Sequence, residues 1–313
     1  MRAGSIANCW KEAHKLAKTL GGIIVPILTP MHADERINEP ALRNHIDRML
    51  EGGVHGLFPC GTNGEGYILS EGEKEEVFAI CLSQTAGRVP VFAGTGCVGT
   101  RDTIRLSRKA ADMGADVLSV ITPGFAAASQ EELYAHYRAV AESVDAPILL
   151  YNIPARTGNA LAPVTVERLS RIPNIVGVKD SSGNFDNILQ YIERTRGSGF
   201  VVLSGNDSLI LWTLLAGGAG GIAGCANVFP ETMTAIYERF LAGDIEGARR
   251  AQDAVRPFRD CFRFGNPNTV VKAAVALQGY PVGKCRRPFD RLPEEGLAAV
   301  RQVLAELAEQ GVR

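Results

Sequence analysis

The chain has 313 residues, a formal net charge of −1, 46% hydrophobic residues and 21% charged residues. That balance suits a globular fold with a sizeable core and offers no basic surface for nucleic acid or an anionic membrane. No run of about 18 uninterrupted apolar residues exists to span a bilayer, and the first twenty residues lack the apolar core of a signal peptide.

In chain order, MRAGSIANCWKEAHKLAKTL reads as a short amphipathic helical arm over residues 1–20. GIIVPILTP from 22 and HGLFPCGT from 55 then read as strands, being short and apolar through their length. EGEKEEVFAICLSQ from 71 is an amphipathic helix that Ser70 and Glu73 open as an S-x-x-E capping box. The strand PVFAGTG from 90, the helix TRDTIRLSRKAADMG from 100 and the strand DVLSVITP from 116 follow. The helix QEELYAHYRAVAESV from 130 begins with a second capping box, Ser129 with Glu132. Four more strands are APILLYNIP from 146, NIVGVKDSS from 174, FVVLSGND from 200 and GGIAGCAN from 220.

The strand starts lie roughly 30 residues apart, the length of a strand plus a crossover helix, shrinking at the last interval. Eight such units predict an α/β protein of the (β/α)8 TIM-barrel class over 21–229, with a doubly wound open sheet as the structural rival. From about 230 to 313 only helical segments remain, which predicts a C-terminal helical extension. Its stripe of leucines, alanines and valines reads as core or subunit contact.

A (β/α)8 barrel gathers its chemistry at the C-terminal ends of the strands. Here most ends are small, Gly-rich or hydroxyl-bearing: GTNGE at 61–65, TPGF at 122–125, YNIPARTG at 151–158, KDSSGN at 179–184, SGND at 204–207 and CAN at 225–227. Only Tyr151 and Lys179 place an ionisable chemical group at the tip of a strand. Period-2 alternation puts Ile175, Gly177 and Lys179 on one face and Val176 and Val178 on the other, so Lys179 would point into the barrel. Tyr151 ends the preceding strand in the same way.

A lysine held out of water supplies free amine near neutral pH, attacks a ketone and forms a Schiff base that acts as an electron sink. A neighbouring phenol can move the protons. The plainer reading of Lys179, a solvated lysine where a strand exits, stays open on pattern alone. GTNGE reads equally as a backbone cradle for a carboxylate, with Thr62 adding a hydroxyl, or as a tight βα turn. Arg156 is either a bidentate clamp for a second carboxylate or a surface arginine.

GTGCVG at 94–99 matches the dinucleotide pattern G-x-G-x-x-G, but no acidic residue ends the next strand, and that reading is rejected. His14, His32, His45, His55 and His136 show no ligand spacing, so no metal is expected. Seven scattered cysteines without a CxxC pair suit a reduced, cytoplasmic protein.

With GTNGE, YNIPARTG and GVKDSSGN in this order and spacing, the chain resembles the dihydrodipicolinate synthase/N-acetylneuraminate lyase family. These are class I, Schiff-base-forming lyases on a (β/α)8 barrel with a C-terminal helical extension. The similarity covers nearly the whole chain from about residue 20. The resemblance implies that Lys179 forms an imine with pyruvate or a related 2-oxo acid and that Tyr151 transfers protons. It implies that Thr62, also counted among the catalytic residues, and Asn63 hold the 2-oxo acid carboxylate. Arg156 would bind the carboxylate of an aldehyde co-substrate, and Gly205, Asn206 and Ile222 would line its pocket. It further implies no cofactor beyond the covalent imine, and a homo-oligomer, dimer or tetramer.

Departures from the family pattern redirect part of this. Asn63 stands where members usually carry Thr. Gly124 and Phe125 replace a Tyr-Tyr pair whose second hydroxyl crosses a subunit interface into the neighbour's proton relay; Phe125 keeps a place at that interface but has no hydroxyl. Glu71, Lys74, Val98 and Gly124 occupy the lysine-feedback positions of some synthases without matching them. The expectation is a synthase-like lyase performing aldol condensation or cleavage. The alternatives are a 2-keto-3-deoxy sugar acid aldolase or dehydratase, a hydroxyproline-pathway deaminase, and a non-catalytic barrel that binds a small acid.

Overall fold

Eight short runs rich in aliphatic residues and glycine form the parallel strands β1 Gly22–Val25, β2 Gly56–Leu57, β3 Phe92–Gly94, β4 Val117–Ile121, β5 Ile148–Asn152, β6 Ile175–Asp180, β7 Val201–Ser204 and β8 Gly220–Ile222. The structure, a computed structural model, describes residues 20–313. Of the arm expected over 1–20, all but Leu20 lies outside the described residues.

The strands hydrogen-bond in the order β2-β1-β8-β7-β6-β5-β4-β3. A parallel bridge between Leu57 and Val91 joins the two ends of that order and closes the (β/α)8 barrel. Every strand needs cover on both faces, which is why the strands read as continuous apolar runs. Ile24, Phe58, Phe92, Val117, Leu149 and Leu203 fill the inside of the barrel, with Ile222 among them. The other face of each strand packs under the helices in a larger apolar layer.

The helices are α1 Glu39–Glu51, α2 Glu71–Thr85, α3 Thr100–Asp112, α4 Gln130–Ala141, α5 Pro154–Thr157, α6 Pro163–Leu169, α7 Phe185–Arg194 and α8 Ile210–Leu215. After β8 come α9 Pro230–Leu241, α10 Ile245–Ala254, α11 Arg256–Asp260, α12 Pro267–Leu277 and α13 Glu294–Glu309. Both capping boxes form: the side chains of Ser70 and Ser129 accept from the backbone N–H groups of Glu73 and Glu132, whose carboxylates accept in return from the cap N–H groups. The ring of helices does not stop at 229, because α9 packs against β1 and α8 and takes the place of the eighth barrel helix. Among the described residues no helix is long and apolar enough to cross a membrane.

Strand β6 corrects one expectation. Ile148 pairs with Ile175, but the next residue, Leu149, pairs with Gly177, so Val176 is the extra residue of a bulge. Ile175 therefore packs in the helix-facing layer and Val176 against the barrel interior, the reverse of simple alternation. From Gly177 onward the alternation holds, and Lys179 turns inward. Gly177 is required by a close approach, since a Cβ there would lie 2.6 Å from the Val201 carbonyl oxygen.

Candidate active site

Tyr151 and Lys179 are direct partners in the register of β5 and β6, and both side chains enter the barrel. Lys179 is only 4% exposed. Its Nζ lies 3.8 Å from the centre of the Tyr151 ring and 5.1 Å from that of Phe58, so two aromatic faces receive the amine. Among the described residues no carboxylate stands within 4.0 Å of it. The solvated strand-end reading is thereby set aside, because this is a buried amine without a counter-ion.

Behind this pair the strand ends are stitched together. Asn152 and Asp180, the next partners in register, face the helices. Asn152 Nδ2 donates to Asp180 Oδ1 at 2.6 Å. Ser182 Oγ and Asn187 Nδ2 also donate to this carboxylate. Burial raises the Asp180 carboxyl above its usual range, and these three donors pull the other way. The stitch fixes the relative height of the two strand tips, and so of the phenol and the amine.

The loop after β2 brings the third group. Thr62 Oγ1 and Tyr151 Oη are hydrogen-bonded at 2.9 Å. Among the described residues the N–H groups of Thr62 and Asn63 have no protein acceptor, which leaves two donors at the start of the turn for an anion. The loop runs on to α2, opened by Ser70, as its glycines and capping box imply.

A cavity of about 510 Å³ opens at this end of the barrel. Thr62, Tyr151 and Arg156 line it, with Tyr67, Asn268 and Phe289 opposite. Lys179 is not among the residues lining it; its amine stands over the ring of Tyr151, which does line it. Arg156 is exposed on α5, its Nη2 3.5 Å from Asn266 Oδ1, free to meet an anion entering the mouth.

The remaining expected residues divide. Gly205 lies against the Lys179 side chain, since a Cβ there would meet Lys179 Cε at 2.9 Å and Ser181 Oγ at 1.9 Å. Asn63 turns its amide over Gly224 and leaves the cavity wall to Thr62. Asn206 lies outside the cavity lining; its side-chain oxygen caps the turn Asp207–Leu209 by accepting from Ser208 N at 3.1 Å. Ile222, at 1% exposure, belongs to the packed layer inside the barrel that also contains Tyr151. Phe125 is fully exposed with φ +76°, and Ala126 N donates to Gly124 O across it at 3.0 Å. A bulky side chain in that left-handed turn is costly.

Sequence reasoning missed the C-terminal contribution. Asn268 Nδ2 donates to the Thr62 carbonyl at 2.6 Å, and Tyr67 packs edge-on against Phe289 with ring centres 5.5 Å apart. Burial, with the Glu65 carboxylate nearby, pushes the Tyr67 phenol up to about 12, so it faces the cavity as a neutral hydroxyl. One signal was present: Lys272 is the single charge in the apolar run TVVKAAVALQG, and a lone buried lysine calls for a carboxylate.

Comparison with known proteins agrees with this geometry. The family model described as "Dihydrodipicolinate synthetase family" matches residues 19–307. A 4-hydroxy-tetrahydrodipicolinate synthase of Methanoculleus marisnigri is 41% identical over 286 residues, covering 90% of this chain and 98% of that protein. One of Syntrophus aciditrophicus is 42% identical over 283 residues, covering 90% and 97%. The crystal structure of the chloride-inhibited dihydrodipicolinate synthase from Acinetobacter baumannii complexed with pyruvate superposes with a TM-score of 0.90 at 32% identity, covering 94% of this chain and all of that one. With its barrel, its strand-end lysine and tyrosine, and these relatives along nearly its full length, the chain belongs to the dihydrodipicolinate synthetase family.

Proposed function

We propose that the chain is a class I lyase that takes pyruvate, or a closely related 2-oxo acid, through an imine on Lys179 and joins it to an aldehyde, as a 4-hydroxy-tetrahydrodipicolinate synthase does. The observation that carries this is the chain Lys179–Tyr151–Thr62: a buried amine without a counter-ion, against a phenol hydrogen-bonded at 2.9 Å to a loop hydroxyl. Curated relatives at about 40% identity bear the synthase name, and two solved relatives were crystallised with pyruvate.

The Lys179 amine adds to the C2 carbonyl, and the carbinolamine expels water to give an iminium. Loss of a C3 proton gives the enamine, whose carbon attacks the aldehyde to leave an iminium of the adduct; addition of water to that iminium carbon and cleavage of its C–N bond release the adduct and return the free lysine. Tyr151 serves each proton transfer, and Thr62 passes the proton outward. The free N–H groups of Thr62 and Asn63 suit the 2-oxo acid carboxylate, and Arg156 at the mouth suits a carboxylate on the aldehyde. No cofactor beyond the imine enters these steps. Phe125, a fully exposed aromatic held in a costly turn, supports assembly into a homo-oligomer, dimer or tetramer, with Phe125 at the contact.

Two observations favour a second reading. Phe125 has no hydroxyl to complete a relay in a neighbouring subunit, and Tyr67 and Asn268 face the cavity with neutral polar groups suited to hydroxyls. Both suit a hydroxylated substrate such as a 2-keto-3-deoxy sugar acid. The test is a turnover screen of pyruvate with aspartate semialdehyde against keto-deoxy sugar acids and a hydroxyproline-derived imine. Highest kcat/KM with pyruvate and aspartate semialdehyde supports the synthase; preference for a sugar acid moves the chain to the second reading.

A further inference from the structure

The loop that presents Thr62 to Tyr151 is held from the far end of the chain. The Thr62 carbonyl accepts two hydrogen bonds, one from Glu65 N at 3.1 Å within the turn and one from Asn268 Nδ2 at 2.6 Å. Three residues on, Glu65 sits in left-handed backbone at φ +59° with its side chain fully buried. Its Oε1 lies 2.5 Å from Lys272 Nζ, itself 1% exposed, and its Oε2 accepts from Arg286 N at 2.8 Å. Lys272 Nζ also donates to the Lys284 carbonyl at 3.0 Å.

Asn268 and Lys272 are four residues apart on α12 and so stand on one face of that helix. One face thus grips the turn at both ends, at the Thr62 carbonyl and at the Glu65 carboxylate. The surroundings are dry: burial, then the Glu65 charge, pushes the neighbouring Cys285 thiol up to about 12. A non-glycine residue in left-handed backbone persists where its surroundings over-determine it, and a buried ion pair with no water to replace either partner does that.

We propose that Asn268 and Lys272 are positioning residues for the proton relay, holding the 62–65 turn so that the Thr62 hydroxyl stays in line with Tyr151. This rests on the Schiff-base reading of the site. Neither residue touches the reacting atoms. Asn268 acts on Thr62 directly, and Lys272 acts through Glu65. The C-terminal helices are on this account part of the catalytic frame, because a relay bond tolerates little displacement of its partners.

The test is a double-mutant cycle. Asn268→Leu, close in size but without the amide donor, is measured in the wild-type and in a Thr62→Val background, with kcat, KM for pyruvate and the yield of borohydride-trapped adduct on Lys179. The expected result is a kcat loss of about tenfold in the wild-type background, KM within about twofold, and full adduct yield. In the Thr62→Val background Asn268→Leu should then cost little more, because the group it positions is gone. An equal fold loss in both backgrounds, or no loss in either, overturns the proposal. If Asn268→Leu does not fold, the paired change Glu65→Gln with Lys272→Met, which removes both charges together, runs the same cycle with the same criteria. Wild-type protein that traps no 2-oxo acid overturns the Schiff-base reading first and this proposal with it, whereas trapping with an additive cycle overturns this proposal alone.

Discussion

A single oxygen separates Tyr151 from phenylalanine, and among the described residues that oxygen has one hydrogen-bond partner, Thr62. Tyr151→Phe keeps the ring that walls the cavity and faces Lys179, so it should fold as the wild type does. It should lose about 10²- to 10⁴-fold in turnover, the usual worth of a positioned acid–base group. Steady-state kinetics beside a thermal melt check this, and wild-type turnover would remove Tyr151 from the relay. At this scale the sequence was readable where a residue ends a strand, because register alone carries Tyr151 and Lys179 to the same height. It was not readable where one side chain had two uses. SGND gave no sign that Asn206 would cap a turn, and the apolar side chain of Ile222 gave none that it would join the packed layer inside the barrel.

The helices show the clearest local signals. Ser70 and Ser129 both make the reciprocal bonds that S-x-x-E implies. Replacing either by Ala should cost about 1 kcal/mol, seen as a lower denaturant midpoint at unchanged slope. The two costs should add, since the caps open different helices and share no partner. A loss within error for both would show that neighbouring contacts hold these helix starts without the caps. Strand β6 shows the opposite limit. Alternation assumes one residue per step, and the bulge at Val176 breaks that count in a way no residue in NIVGVKD announces. The inward direction of Lys179 was legible because the bulge lies upstream of Gly177; a bulge one residue past it would have turned the amine toward the helices.

For the whole molecule, the contacts that complete the site join positions some two hundred residues apart, such as Thr62 with Asn268 and Glu65 with Lys272. No local pattern encodes such pairs, which is why the C-terminal helices read only as apolar packing. Distant pairing also sets the acid response. His45 Nε2 donates to Asn227 Oδ1 at 3.0 Å, linking α1 to the turn after β8, while its Nδ1 is buried with no partner among the described residues. Burial holds His45 down to about 4, and His136 likewise. The unfolded chain protonates these histidines near 6.5, so between that pH and about 4 it binds more protons than the folded protein. Stability is therefore undiminished by these groups above pH 6.5 and falls as pH drops toward 4, by up to about 3 kcal/mol for each histidine. Melting curves across that window should show the decline, and His45→Gln should roughly halve it, leaving the part due to His136. A flat wild-type profile would contradict the buried, neutral state of both rings.

Intact mass after borohydride reduction in the presence of pyruvate decides whether Lys179 is the nucleophile proposed above. One pyruvate-derived unit per chain, mapped to the peptide containing Lys179 and absent from Lys179→Ala, is the expected result. No adduct, or an adduct that survives Lys179→Ala, would contradict it.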